Sequence, residues 1–196
     1  TTSTTSTTTT VGTTTTTTLA APTLNLNLGW NLVGNGSTGS LDVASLFGDT
    51  TTVTTVWKWI ANGAKWAFYA PALAGQALAD YAASKGYDVL AAINGGEGFW
   101  VNAKTAYTTQ LPSGSMVASA SFQGMASGWN LIAIGESKTP GEFNSALSAT
   151  PPTAGAIPIN VLTLWAWDNP TSRWYFYAPS LEAQGGTALS DYINSK

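Results

Sequence analysis

Cysteine and histidine are both absent from the 196 residues, which removes thiolate and imidazole metal sites, Cys and Ser-His nucleophile systems, and disulfide staples. Charge is scarce as well. Only 9% of residues are Asp, Glu, Lys or Arg, against roughly 25% in ordinary soluble domains. The 7 basic and 10 acidic residues are scattered along the chain, so there is no basic stripe to form an electrostatic footprint for nucleic acid or an anionic membrane. No run reaches the roughly 18 apolar residues that a membrane-spanning helix needs. Neither nucleic acid nor membrane insertion is expected, and no cofactor motif is present. The chain opens at Thr1 without methionine or a signal peptide, which reads as the start of a processed protein or of a piece of a longer one.

What is present is uncharged polarity and aromatic mass. Thr, Ser, Asn and Gly supply the polarity, and there are 9 tryptophans in a chain that is 44% hydrophobic. Together with a repeated module, this composition points to a secreted or cell-surface protein. Gly29, Trp30, Asn31 and Leu32 return as Gly128, Trp129, Asn130 and Leu131. Likewise the run from Lys65 through Trp66, Phe68 and Tyr69 to Pro71 returns from Arg173 through Trp174, Phe176 and Tyr177 to Pro179. The length leaves each copy about 100 residues, enough for a core of its own.

Strict alternation from Leu24 to Val33 predicts a strand with one buried face. Asp42 to Phe47, followed by Gly48, predicts a short helix. Thr51 to Ile60 and Lys65 to Ala70, joined at Asn62 and Gly63, predict an aromatic hairpin. Gly75 to Ser84, followed by Gly86, predicts the longest helix. Val89 to Ile93 and Gly98 to Ala103 predict a second hairpin that closes the first copy, and Met116 to Phe122 an extra strand. The second copy follows the same plan with an insertion over Ala149 to Pro158. It reaches Ser195 and Lys196, the counterparts of Ser84 and Lys85, without the closing hairpin.

The set formed by Gly29 to Leu32, Val56 to Trp59, Lys65 to Tyr69 and Gly98 to Val101 resembles a tandem Gly-Trp-Asn-Leu / Gly-Phe-Trp-Val type β-module of secreted and cell-surface bacterial and archaeal proteins. The resemblance covers most of residues 24–103 and, less completely, 124–196. It implies a surface location and a tandem β architecture, and no catalytic residues.

Among possible chemical sites, Glu97 stands out because it lies between glycines and beside Phe99 and Trp100, where a raised pKa would suit a general acid. The glycine-rich string around it reads more simply as a turn carrying an exposed carboxylate. Asp80 and Asp191 recur on the amphipathic helices as solvent-boundary residues. Asp168, Asn169, Thr171 and Ser172 offer oxygens in one turn, without the spacing of a calcium loop. Asn35, Gly36 and Ser37 form an N-glycosylation sequon. The tryptophans admit two readings, a core or a platform for sugar rings. Core packing is favoured for Trp57, Trp59, Trp66, Phe68 and their counterparts Trp165, Trp167, Trp174 and Phe176. Tyr69 and Tyr177, on the opposite strand face, are the platform candidates.

The expected fold is mostly β: two tandem β-sandwich or barrel-like modules, each with one or two short helices, plus an extended N-terminal strand. Residues 1–22 form the Thr-rich segment and 23–111 the complete first module. Residues 112–196 form the second module, with 112–123 as connector. A second module without its last hairpin has an open edge, and the β-branched Thr run is a strand in search of one. The expected function is therefore that of a non-enzymatic, extracellular structural subunit. Copies would assemble head to tail into a filament by donating the N-terminal strand. Thr7, Thr8, Thr9, Thr10, Thr13, Thr14, Thr15, Thr16, Thr17 and Thr18 are the candidate donor or O-glycan-bearing residues. The alternative is a carbohydrate-binding or adhesive surface module on a Thr-rich stalk. The expected partners are thus copies of the chain itself and glycans.

Overall fold

The alternation from Leu24 to Val33 predicts one strand; in the computed structural model, which describes residues 21–147 and 161–196, there are two. β1 (Thr23–Leu26) stops at a break, and β2 (Gly29–Gly34) begins from Gly29 at φ +91°, a conformation that strains any residue with a Cβ. Asn31 ties the break together. Its Oδ1 accepts from the Asn27 N–H at 2.9 Å, and its Nδ2 donates to the carbonyls of Asn27 at 2.8 Å and Gly29 at 2.9 Å. The chain turns over at this point, so Leu24 and Leu26 are buried while Leu28 and Trp30 face outward. The second copy repeats the device, with Gly128 at φ +94° and Asn130 Nδ2 donating to the carbonyls of Ala126 at 2.8 Å and Gly128 at 3.1 Å. Gly and Asn of the recurring motif thus serve the backbone, and Trp is left free for another role.

β3 (Leu41–Asp42) leads into α1 (Val43–Phe47), capped by the Asp42 carboxylate, which accepts from the Ser45 N–H at 2.7 Å. That bond holds the Asp42 carboxyl below its usual range. β4 (Val53–Ile60) and β5 (Lys65–Tyr69) form the expected aromatic hairpin, although the left-handed residue of its turn is Ala64, at φ 45°, rather than Asn62 or Gly63. α2 (Gln76–Lys85) ends at Gly86, at φ +74°.

β6 (Asp88–Val89), β7 (Ala92–Ile93), β8 (Gly98–Ala103) and β9 (Tyr107–Gln110) depart from the expected closing hairpin. β6 runs parallel to β5, β7 pairs with β3, and β9 pairs with β1. β8 inserts between β2 and β4, giving a five-stranded sheet of order β2-β8-β4-β5-β6. The reason lies in its side chains: Phe99 and Val101 are fully buried on one face and Trp100 occupies the other, and a strand with large side chains on both faces suits an interior position. The main core lies on the Phe99 side and joins Val53, Val56 and Ala67 of the sheet to Phe47 and Ile93.

In the second half, α3 (Pro140–Leu147), β10 (Leu164–Asp168), β11 (Arg173–Tyr177), α4 (Pro179–Glu182) and α5 (Ala188–Asn194) follow the plan of the first. The expected strand over Met116 to Phe122 reduces to an isolated bridge between Ser37 and Met116 and a 3-10 turn over Ser119–Phe122. Gly128 to Leu131 is not a sheet strand either, because no counterpart of β8 holds it among the described residues. The neighbouring Ile132 bridges to Glu97 instead. A small core gathers Phe143, Leu147 and Val161. Among the described residues the fold is mostly β with a few short helices, and no sheet closes into a barrel. None of the described helices is long and apolar enough to cross a membrane.

The two copies meet at equivalent positions. A Cβ on Gly34 would lie 2.2 Å from that of its counterpart Ala133, and one on Gly135 would lie 2.2 Å from the carbonyl oxygen of its counterpart Gly36. Contact between equivalent residues marks an approximate two-fold axis. Gly135→Ala is expected to cost about 1–3 kcal/mol through overpacking, read as a lower midpoint of urea unfolding; an unchanged midpoint would contradict the close approach.

Tyr107 packs against the main core with its hydroxyl buried and unpaired. Burial, and secondarily the Asp49 charge, push its pKa from 10.0 up to about 12. The folded state therefore holds this proton more tightly, so the contribution is complete below pH 10 and is lost as pH rises toward about 12. Tyr107→Phe is expected to remove this part of the alkaline loss and to leave stability at neutral pH unchanged or higher, since no hydrogen bond is lost. Thermal unfolding measured across that pH window checks both effects.

Candidate functional site: an aromatic cleft between the repeats

Strand alternation that sends Val56, Ala67, Phe99 and Val101 into the core sends Trp57, Phe68 and Trp100 to the opposite face. Trp57 stands opposite both Phe68 and Trp100, and Trp59 opposite Trp66. Their ring centroids are 4.6 Å apart for Trp57 and Phe68, 6.2 Å for Trp57 and Trp66, and 5.3 Å for Trp59 and Trp66. The counterpart rings repeat this almost unchanged, at 4.7 Å for Trp165 and Phe176, 6.2 Å for Trp165 and Trp174, and 5.2 Å for Trp167 and Trp174. Such tilted and edge-to-face contacts are the favoured aromatic geometries.

The aromatic faces of the two copies come together. Trp100 lies 6.5 Å from Trp167 and 5.9 Å from Trp174 between ring centroids. Trp59 Nε1 donates to the Trp129 carbonyl at 2.8 Å, and in return Trp167 Nε1 donates to the Trp30 carbonyl at 3.2 Å. Asn169 Nδ2 also donates to the Trp30 carbonyl. Between these contacts lies a cleft of about 470 Å³, walled by Trp30, Trp57, Trp66, Tyr87 and Trp100 of the first copy and by Trp167 and Trp174 of the second. Among the described residues all seven walls are aromatic and none is charged. Trp57 Nε1 is buried there without an acceptor.

The core expectation holds for Phe68, which is buried with Ala70 and Leu78, but Trp57, Trp66, Trp167 and Trp174 are cleft walls. Tyr69 and Tyr177, the expected platform residues, are not among the cleft walls. Tyr69 is half-buried on the core face, and burial, then the Asp42 charge, raise its pKa. Tyr177 is 6% exposed and its hydroxyl donates to Glu182; burial and that bond push its pKa far up. Both lie on the wrong face because alternation groups them with Ala67 and Tyr175 rather than with the tryptophans. The usable signal was the row of Val, Ala and Phe on the other face of the sheet, which already accounts for the core.

The remaining candidates are satisfied locally. Glu97 Oε2 accepts from Lys58 Nζ at 2.7 Å and from the Asn94 N–H at 2.6 Å. Asp168 accepts from Thr171 Oγ1 at 2.7 Å, Asp80 from Gln76 Nε2 at 2.7 Å and Asp191 from Thr187 Oγ1 at 2.7 Å. Asn35 of the sequon is fully buried with its amide donating to the Gly39 carbonyl at 2.6 Å, so a glycan there would unfold the turn. Thr7 to Thr10 and Thr13 to Thr18 lie outside the described residues.

Trp57→Phe, which deletes a buried donor with no partner, is expected to leave the unfolding midpoint unchanged or raised despite the smaller ring. A loss above about 2 kcal/mol would mean that the indole N–H is paired or that ring packing dominates. No family model, curated protein or solved structure matches the chain, and the functional reading rests on this cleft.

Proposed function

We propose that the chain is an extracellular, non-enzymatic binding protein of the cell surface whose aromatic cleft takes a neutral glycan. In this reading residues 23–111 and 112–196 are two tandem sandwich-like modules, and the Thr-rich residues 1–22 form an O-glycosylated spacer. The observation that carries it is the cleft itself. Flat indole faces stack on the C–H faces of sugar rings, and an uncharged wall suits a neutral ligand. Its volume falls in the range of small-molecule sites. An aliphatic ligand fits less well, since no Leu, Ile or Val lines the walls. The reading is of a binder rather than a catalyst because Glu97, the carboxylate the sequence singles out, is engaged by Lys58.

In a second reading copies join head to tail into a filament by strand donation from residues 1–22, since β10 is hydrogen-bonded to β11 alone among the strands of the described residues. Electron microscopy of the whole chain and of a chain lacking residues 1–22 tests it: equal assembly of both, or none, defeats the reading.

For the glycan reading, titration calorimetry against glucan, mannan and galactan oligosaccharides is expected to find at least one ligand. Trp100→Ala should weaken it about tenfold or more, some 1.4 kcal/mol, while Tyr69→Phe should not. Absence of binding across the series, or an unchanged affinity in Trp100→Ala, would reject it.

A further inference from the structure

We infer that a second pocket at the junction of the copies takes a neutral sugar ring by two adjacent hydroxyls, which are read by the Lys58–Glu97 ion pair. The pocket arises where the first sheet splays. β8 pairs with β4 from Val53 to Trp57 and no further. At Gly98 the chain of β8 turns to the second copy instead: the Gly98 N–H donates to the Leu131 carbonyl at 3.0 Å, and Glu97 bridges to Ile132. Between the last residues of β4 and the segment from Asn130 lies a space of about 480 Å³, walled by both copies. It is as large as the aromatic cleft and differs from it in chemistry, since an ion pair, an amide and two aromatic rings share its wall. A few convergent polar groups beside apolar surface are what a small-molecule site requires.

The unused hydrogen-bonding capacity of the ion pair specifies the ligand. Lys58 and Glu97 meet at 2.7 Å with side chains 13% and 32% exposed, the more buried of the two ion pairs among the described residues. An ammonium carries three donors. Lys58 Nζ spends one on Glu97 Oε2 and one, at 3.4 Å, on the Ala92 carbonyl. Glu97 Oε2 accepts from both Lys58 and the Asn94 N–H, while Oε1 has no donor among the described residues. One donor and one acceptor are left side by side. Neighbouring hydroxyls of a sugar ring are their complement, one accepting from Lys58 and the other donating to Glu97. A charged ligand fits less well, because it would have to break a pair that already neutralises itself. Asn130 adds an acceptor: Asn31 Oδ1 accepts from the Asn27 N–H, whereas Oδ1 of the counterpart Asn130 has no donor among the described residues. Trp59 and Phe122 supply the ring faces. Trp59 is held by its bond to the Trp129 carbonyl and Phe122 by Phe143, 5.9 Å away between centroids, so binding has little left to order. The inference is independent of the reading given to the aromatic cleft.

Chemical-shift titration of the whole chain with methyl glucopyranoside, methyl mannopyranoside and methyl galactopyranoside tests it, with affinity read at the amides of residues 58–62 and 130–132. At least one of the three is expected to bind there. Glu97→Gln, which keeps the shape of the side chain and removes its charge, should weaken that binding about tenfold or more, while Trp100→Ala should leave it unchanged. A second measurement needs no protein variant: the same ligand with the hydroxyl at carbon 2, 3 or 4 removed in turn should lose about tenfold or more at two adjacent positions. No binding at these amides by any of the three sugars overturns the proposal, as does a loss at fewer than two adjacent positions. Binding that depends on Trp100 and is indifferent to Glu97 overturns it too, and assigns the sugar to the aromatic cleft alone.

Discussion

Every layer of the first copy depends on the double pairing of β8. It is hydrogen-bonded to β2 and β4 at once, so it joins strands that are distant in sequence and do not otherwise touch in the sheet. Phe99 and Val101 fill the core beneath it, and Trp100 fills the aromatic layer above. A strand loaded on both faces stabilises both layers, at the cost of bringing together residues some 70 positions apart, such as Asn31 and Val101. In the second copy no described strand takes that place. Its hairpin forms, since β10 and β11 are local, while the segment after Gly128 is irregular and the core among the described residues gathers around Phe143, Leu147 and Val161.

The second copy is steadied by the first instead. The exchange of indole donors, Trp59 to the Trp129 carbonyl and Trp167 to the Trp30 carbonyl, is reciprocal. The glycine contacts near Gly36 and Gly135 mark where the two backbones approach most closely. This is the arrangement of an isologous dimer carried out within one chain. The carbonyls of Trp30 and Trp129, positioned by the Gly and Asn beside them, are the acceptors at the junction, a role open to any residue, while the Trp30 ring serves separately as a wall of the cleft.

Elements with short-range causes were legible in the sequence. α1, α2 and the aromatic hairpin each rest on a cap, a glycine or a tight turn inside one window of residues. The place of β8 was not legible, because adjacency in sequence to Ala92 and Ile93 suggested a hairpin while burial on both faces, a tertiary property, sent it to the sheet interior. The break at Gly29 was hidden for a related reason. Alternation continues across it in the sequence, but the positive φ turns the chain over, so Leu24 and Trp30 keep the same parity and occupy different environments. The cleft is half legible: the sequence shows its aromatics and their shared strand faces, but not that Val56, Ala67, Phe99 and Val101 already fill the other face of the sheet.

Junction and cleft draw on the same side chains, and this links binding to the relation between the repeats. Trp167 donates to Trp30 across the junction and is also a wall of the cleft, while Trp174 faces both Trp100 and the open cleft. A ligand stacked between the two sets of rings would touch both copies, so its binding free energy adds to the contacts that hold them together.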